Sequence, residues 1–305
     1  MADPSFTEAQ DRVLSRYGVN AVSRFVPSEA MEGRVHVLVA GTGPDVLAVN
    51  GIGLPAAMWA PLLAHLGGVT VHAVDGPGFG LTDAPADLGR DLRPRAVAFL
   101  DEVADGLGLH GPLAIVASSL GSLWSTWLAL DHPDRVRALV HIGCPALAPG
   151  TSAPAPMRLL SVPHLSRALM ALQPPSPRQA ERIGAMVGEE LSRATEIRDL
   201  IVATERGPSY GPAFRGLLHA LVRLRGARPD AALTAAELTR VTQPVQLVWG
   251  DHDPFGDLTA AEACRDALPD SELHVVEGGH APWLDDAEVI AGHVRRFLSR
   301  RVASA

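Results

Sequence analysis

Short apolar runs recur along the chain and alternate with segments in which apolar residues have helical spacing. The runs predict strands at residues 19–26, 34–40, 46–49, 69–74, 113–117, 136–142, 245–249 and 272–276. Helical spacing predicts helices over residues 4–17, 50–68, 92–107, 120–130, 259–267 and 285–300. Apolar strands that alternate with helices are typical of a parallel sheet covered on both faces. We therefore predict an α/β fold, with a mostly parallel sheet and helices on both of its faces.

This alternation stops after residue 145 and resumes after residue 240. Between these positions no convincing strand pattern occurs, and helical patterns are separated by prolines. The patterns cover residues 156–172, 178–191, 194–206, 212–226 and 231–239. We predict that residues 146–240 form an all-helical insert. Residues 1–145 and 241–305 would then form the α/β core, with an N-terminal helix in residues 1–18.

The composition excludes several classes of catalytic and binding site. The chain contains no lysine, which excludes a Schiff base, a phosphate-binding P-loop and a Ser-Lys dyad. Acidic residues number 34 and basic residues 26, so the formal net charge is −8. This balance argues against nucleic acid as a partner, because nucleic-acid binding normally needs a basic face. The hydrophobic content of 47% indicates a globular protein rather than a disordered one.

The cysteines and the apolar segments predict the compartment. Cys144 and Cys264 are far apart in sequence and are expected to be free thiols in a reducing environment. The first residues lack the apolar run of a secretory signal, and no apolar stretch of about 18 residues is uninterrupted. We therefore expect a cytoplasmic protein with no membrane partner. The sequence leaves the oligomeric state open.

Three polar residues follow three of the predicted strands, in the order Ser, Asp, His. Ser119 lies between the strand 113–117 and a helix, with small residues two positions before and two positions after it. The strand 245–249 is followed by two aspartates that could supply the acid, Asp251 and Asp253, and the strand 272–276 is followed by His280. Because ligands of open parallel sheets sit beyond the carboxyl ends of the strands, we expect these three side chains to meet there. Such a set can supply a nucleophile, its base and an orienting acid.

With these motifs the sequence resembles the α/β-hydrolase superfamily, in its cap-bearing serine hydrolase branch. The resemblance extends from about residue 20 to residue 300. The motifs that carry it are Asn50-Gly51-Ile52-Gly53, Asp75-Gly76-Pro77-Gly78-Phe79-Gly80, Ala117-Ser118-Ser119-Leu120-Gly121, Trp249-Gly250-Asp251-His252-Asp253 and Gly278-Gly279-His280. The sequence departs from the family at Asn50, where histidine is usual, and at Ala117, where glycine is usual. The resemblance implies that the helical insert is a cap.

The resemblance also assigns roles to individual residues. It implies that Asp253, rather than Asp251, is the catalytic acid. The backbone amides of Ile52 and Leu120 would form the oxyanion hole. Further residues that could line the substrate pocket are Asn50, Gly53, Trp59, Cys144 and Trp283.

The expected chemistry is hydrolysis through a covalent intermediate. Ser119 would attack a carbonyl carbon after His280 removes its proton, while Asp253 holds His280 in the required tautomer. An ester or thioester is the expected substrate, and amide or C–C cleavage is also compatible with these residues. The apolar residues of the cap favour a small, largely apolar substrate.

Other interpretations remain open. The protein could be a non-hydrolytic enzyme of this fold, a cyclase or lyase in small-molecule biosynthesis, in which Ser119 and His280 bind or shuttle protons. It could also be a non-catalytic ligand-binding protein. The histidines show no close-spaced set of metal ligands, so we expect neither a metal nor a cofactor.

Overall fold

The computed structural model describes residues 5–302, and this part of the chain contains ten strands. The strands are β1 (Ala21–Ser28), β2 (Gly33–Gly41), β3 (Asp45–Val49), β4 (Thr70–Val74), β5 (Leu113–Ala117), β6 (Val136–Ile142), β7 (Val222–Arg223), β8 (Gly226–Ala227), β9 (Val245–Gly250) and β10 (Ser271–Val276). Eight of them form one sheet, in the order β1-β2-β4-β3-β5-β6-β9-β10.

Most neighbours in this sheet are parallel. Strand β2 pairs antiparallel with β1 and with β4, whereas every pair from β4 to β10 is parallel. The predicted α/β class with a mostly parallel sheet is thus confirmed. Strand β5 lies between β3 and β6, and each of its five residues is buried.

The helices occupy both faces of the sheet and the long segment between β6 and β9. They are α1 (Phe6–Arg16), α2 (Ala60–Leu63), α3 (Leu92–Gly106), α4 (Leu120–Asp131), α5 (Ala155–Leu160), α6 (Pro163–Leu172), α7 (Pro177–Met186), α8 (Thr195–Glu205), α9 (Tyr210–Leu221), α10 (Ala235–Leu238), α11 (Leu258–Ala267) and α12 (Ala287–Val302). Successive side chains of a strand point to opposite faces. In β3, Leu47 and Val49 pack with α3 and α4, whereas Val46 and Ala48 pack with α1 and α12.

Residues 146–240, here called the insert, are mostly but not wholly helical. They include the antiparallel hairpin of β7 and β8, so the prediction of an all-helical segment is corrected at this point. The predicted helix 212–226 ends at Leu221 because Val222 adopts extended backbone, and Arg228 closes the hairpin by donating its amide to the Leu221 carbonyl. The predicted helix 156–172 is divided because Pro163 begins a second helix, and the predicted helix 231–239 is reduced to α10.

Two further segments differ from their predicted form. The predicted helix 50–68 is a 3₁₀ turn, Ala56–Trp59, followed by the single turn of α2, because prolines precede and interrupt it. The predicted helix 4–17 begins at Phe6, capped by Ser5 and Glu8 in a reciprocal capping box, and residue 4 lies outside the described residues. Within residues 5–302 no helix is long and apolar enough to cross a membrane.

Candidate active site

Ser119 lies at the tight turn that joins β5 to α4. Its backbone has φ 51° and ψ −114°, a conformation that costs free energy in a residue with a side chain. The turn also requires a residue without a side chain two positions later. A Cβ on Gly121 would lie 2.2 Å from the carbonyl oxygen of Val49. The local fold thus presents the Ser119 side chain at the carboxyl end of the central strand.

Asp253 and His280 form a hydrogen bond beyond the carboxyl ends of β9 and β10. The Nδ1 of His280 donates to Oδ2 of Asp253 at 2.8 Å, and the Asp253 carboxyl is fully shielded from solvent. The same oxygen accepts the backbone amide of Cys144 at 2.8 Å, and Oδ1 accepts the amide of Phe255 at 2.9 Å. Because the carboxylate accepts, the proton of a neutral His280 is held on Nδ1 and Nε2 is left as a base.

The Nε2 of His280 is buried and has no hydrogen-bond partner among the described residues. Both His280 and Ser119 line the same cavity. The ring of Phe255 stacks on the imidazole, with ring centroids 4.0 Å apart. Sequence reasoning missed Phe255, and only its position two residues after Asp253 could have drawn attention to it.

The residues expected to form an oxyanion hole surround Ser119. Ile52 lines the cavity, and Leu120 is the first residue of α4. Within residues 5–302, neither backbone amide donates a hydrogen bond to a protein group. The loop that carries Ile52 lies close to Ser119, since a Cβ added to the neighbouring Gly51 would be 3.0 Å from the Cβ of Ser119. The Leu120 amide also lies at a helix N-terminus, which favours negative charge.

The loop that carries Ile52 is supported from behind by a buried carboxylate. Asp75 accepts the amides of Ala56 at 2.6 Å and Leu81 at 2.8 Å, and its Oδ2 lies 2.7 Å from Nδ1 of His36. Asn50, which replaces the usual histidine, donates its side-chain amide to the Pro55 carbonyl at 2.7 Å. Asp75 and Asn50 therefore shape the loop.

Only two of the five candidate pocket residues line the cavity, namely Gly53 and Trp283. Asn50 points into its own loop, as described above. Trp59 is fully buried behind Trp283, and their rings stack with centroids 4.6 Å apart. Cys144 is fully buried beside Asp253, and burial raises the pKa of its thiol well above the usual value. These three residues lie near the strand ends that border the cavity, as predicted, but their side chains point into the protein interior.

The cavity has a volume of about 510 Å³ and is lined mainly by apolar side chains of the insert. The apolar residues include Met157, Leu160, Met170, Ile183, Met186, Ile201 and Phe214. Polar side chains reach it from Gln173, Gln179, Arg182, Glu189, Glu205 and Arg215. Burial raises the pKa of Glu205 to about 7, and its Oε2 has no partner within the described part of the chain. The hydroxyl of Tyr210 lies beside Gly53, where an added Cβ would be 3.0 Å away.

Comparison with known proteins identifies relatives over most of the chain. An uncharacterized protein of Mycobacterium tuberculosis is 30% identical over 271 residues, which cover 85% of this chain and 76% of that protein. A pimeloyl-[acyl-carrier protein] methyl ester esterase of Vibrio vulnificus is 28% identical, covering 87% of this chain and 98% of the esterase.

Solved structures show the same fold at lower sequence identity. The carboxylesterase CesB of Bacillus subtilis has a TM-score of 0.73 at 22% identity and covers 96% of each chain. The 2-hydroxy-6-oxo-6-phenylhexa-2,4-dienoate hydrolase of Rhodococcus sp. strain RHA1 has a TM-score of 0.73 at 20% identity, covering 91% of this chain and 98% of that one. A family model for the α/β hydrolase fold matches residues 44–287. The chain therefore belongs to the α/β-hydrolase superfamily.

Proposed function

We propose that this protein is a serine hydrolase that cleaves an ester or thioester of a small, largely apolar substrate through an acyl-enzyme on Ser119. One observation carries the proposal. A strained strand-to-helix turn presents Ser119 to the same cavity as a His280 side chain that is oriented by the buried Asp253 carboxylate. The pimeloyl-[acyl-carrier protein] methyl ester esterases among its relatives support ester hydrolysis.

In this proposal the reaction begins with proton transfer from Ser119 to His280. Nε2 of His280 accepts the Oγ proton as Oγ bonds to the carbonyl carbon, and Asp253 stabilises the imidazolium that results. The amides of Ile52 and Leu120 donate to the developing oxyanion, and each such donor typically contributes about 2.7–4 kcal/mol to barrier lowering. His280 then protonates the leaving alcohol or thiol. Water, deprotonated by His280, cleaves the acyl-enzyme in the same way.

The substrate class is inferred from the cavity. Its volume of about 510 Å³ matches a small molecule, and its Met, Leu, Ile and Phe side chains favour an apolar acyl or alcohol group. Most of these side chains come from the insert, which supports residues 146–240 as a cap over a core made of residues 1–145 and 241–305. Cys144 and Cys264 are free and buried, which supports a reducing compartment such as the cytoplasm.

A fluorophosphonate probe tests the proposed nucleophile. We expect the wild-type protein to be labelled and Ser119→Ala to remain unlabelled. Ser118→Ala is the matched control, because Ser118 is adjacent and buried, and it should still be labelled. Absence of labelling in the wild type, or labelling that persists in Ser119→Ala, would refute the assignment. A panel of aryl esters and thioesters of increasing chain length then defines the acyl group by kcat/KM.

A further inference from the structure

The segment of the insert that follows α7 holds the loop that carries His280. The backbone amide of His280 donates to the carbonyl of Val187 at 2.9 Å. The next amide, that of Ala281, donates to Oε1 of Glu189 at 2.6 Å. Two consecutive amides at the proposed base are thus bonded to two residues of the insert, Val187 and Glu189, rather than to the sheet that bears the loop.

The two segments approach each other too closely to admit side chains. A Cβ on Gly279 would lie 2.6 Å from the carbonyl oxygen of Gly188 and 2.7 Å from Oε1 of Glu189. Gly188 itself has φ +85°, a conformation that favours glycine. Small shifts of residues 187–189 are therefore transmitted directly to the backbone of His280.

Glu189 is buried in this contact, at 5% exposure, and lies among negative charges. Its Oε2 is shielded from solvent, and its carboxyl group lies within hydrogen-bonding reach of Asp285. The titratable groups around it are Asp285 and Asp253, together with His280, which is bonded to Asp253. Burial raises the pKa of Glu189 to about 8, although the Ala281 amide opposes the rise. The charge of Asp285, a hydrogen bond with Asp285 and the charge of Asp253 add to it. Glu189 is thus largely protonated at neutral pH.

We propose that Glu189 is a positioning residue for His280, which it holds in place from the insert through the Ala281 amide. The inference rests on the proposed role of His280 as the base. Phe255 and Asp253 fix the ring of His280, but the ring can meet Ser119 only if the backbone of its loop is also fixed. Loss of the Glu189 acceptor leaves the buried Ala281 amide unpaired and frees the loop to move.

Three substitutions test the inference. Glu189→Gln keeps an acceptor for the Ala281 amide and should retain wild-type kcat at pH 7. Glu189→Ala removes the acceptor and should lower kcat on the order of a hundredfold, as expected for misplacement of a catalytic group, with little change in KM. Glu190→Ala is the matched control, because Glu190 is adjacent and exposed and bonds to the amide of Ser192, so its kcat should be unchanged.

The pH profile separates positioning from a merely structural role. Above about pH 8 an ionised Glu189 faces two other carboxylates, and their repulsion should move residues 187–189 away from the loop. The wild-type kcat should therefore fall above this pH, whereas Glu189→Gln should lack the fall. A Glu189→Gln variant with the same alkaline fall, or one whose kcat at pH 7 is about a hundredfold below the wild type, would overturn the inference. Neither test needs Glu189→Ala to fold.

A readout that does not depend on hydrolysis keeps this inference distinct from the proposed function. The Nδ1 proton of His280, hydrogen-bonded to Asp253, should give a proton NMR resonance in the wild type and in Glu189→Gln. In Glu189→Ala it should disappear through faster exchange with water. A failure of fluorophosphonate labelling in the wild type would refute the acyl-enzyme and leave this measurement valid, whereas an unchanged resonance in Glu189→Ala would refute the positioning role.

Discussion

Replacement of Asp253 by Asn isolates the charge of the proposed acid from its geometry. Asp253 accepts two N–H groups at Oδ2, from His280 and Cys144, and one at Oδ1, from Phe255. Asparagine offers one acceptor and one donor, so one of these two sites must face an NH₂ group. With the amide oxygen at the Oδ2 site, only the Phe255 N–H loses its acceptor. With the opposite orientation, the N–H groups of both His280 and Cys144 lose theirs, so the first orientation is favoured. His280 should therefore keep its tautomer in Asp253→Asn and lose mainly the negative charge.

The size of the effect follows from that lost charge. Opposite unit charges about 4 Å apart interact by about 4 kcal/mol at an effective dielectric constant of about 20. Since about 1.4 kcal/mol corresponds to a tenfold change in rate, the rate of acylation should fall about a thousandfold. The rate of fluorophosphonate labelling and kcat/KM for an aryl ester should both show this loss at pH 7.5.

Asp251→Asn is the matched control for this experiment. Asp251 lies two residues earlier in the same turn, but it is exposed and bonds to His252 and to the Gly278 amide. We expect its kcat/KM to remain within a few-fold of the wild type. Circular dichroism checks that both variants fold. An Asp253→Asn variant within tenfold of the wild type, or an Asp251→Asn variant that loses more, would refute the assignment of the acid.

Three further predictions concern ionisation in the cavity, stability and backbone packing. Glu205 should ionise as the pH rises through about 7, so KM for an apolar ester should increase over that interval in the wild type and stay constant in Glu205→Gln. Because the pKa of Glu189 is about 8 in the folded state against an ordinary value of 4.5, its contribution to stability should be lost as pH rises between these values. The free energy of unfolding of Glu189→Gln, measured with urea and compared with that of the wild type, should therefore rise by a few kcal/mol from pH 5 to pH 8. The same difference between the two proteins at both pH values would contradict this. Gly121→Ala should lower the unfolding free energy by about 1–3 kcal/mol or more, because the added methyl group would clash with the Val49 carbonyl. Thermal melting measures this loss, and an unchanged Tm would contradict it.

The inner strands of the sheet were predictable from sequence because they are buried on both faces. Strands β5 and β6 have the predicted bounds, since their apolar runs end abruptly at polar residues or glycine. The same property places the chemistry, because side chains that follow parallel strands meet at one edge of the sheet. Ser119, Asp253 and His280 could therefore be selected before their contacts were known, and the structure brings them to one region.

Side-chain direction and the insert were harder to predict. Met58 lines the cavity, and Trp59 is the next residue of the same helical turn. Adjacent side chains of a helical turn point in different directions, and that of Trp59 is buried in the protein interior. In the insert, helical spacing continues past Leu221 although the backbone becomes extended there. Glu189 has no signal in the sequence, since its burial depends on the close approach of two glycines far apart in the chain.

Direct detection of the covalent acyl-enzyme proposed on Ser119 is the sharpest test of its role as nucleophile. An aryl ester that the protein hydrolyses is mixed with it, quenched in acid during the first turnovers, and digested for peptide mass spectrometry. We expect the peptide that contains Ser119 to carry the mass of the acyl group, localised to Ser119 by fragmentation and absent from Ser119→Ala. Hydrolysis by the Ser119→Ala variant at the wild-type rate, or an acyl group carried by another residue, would contradict it.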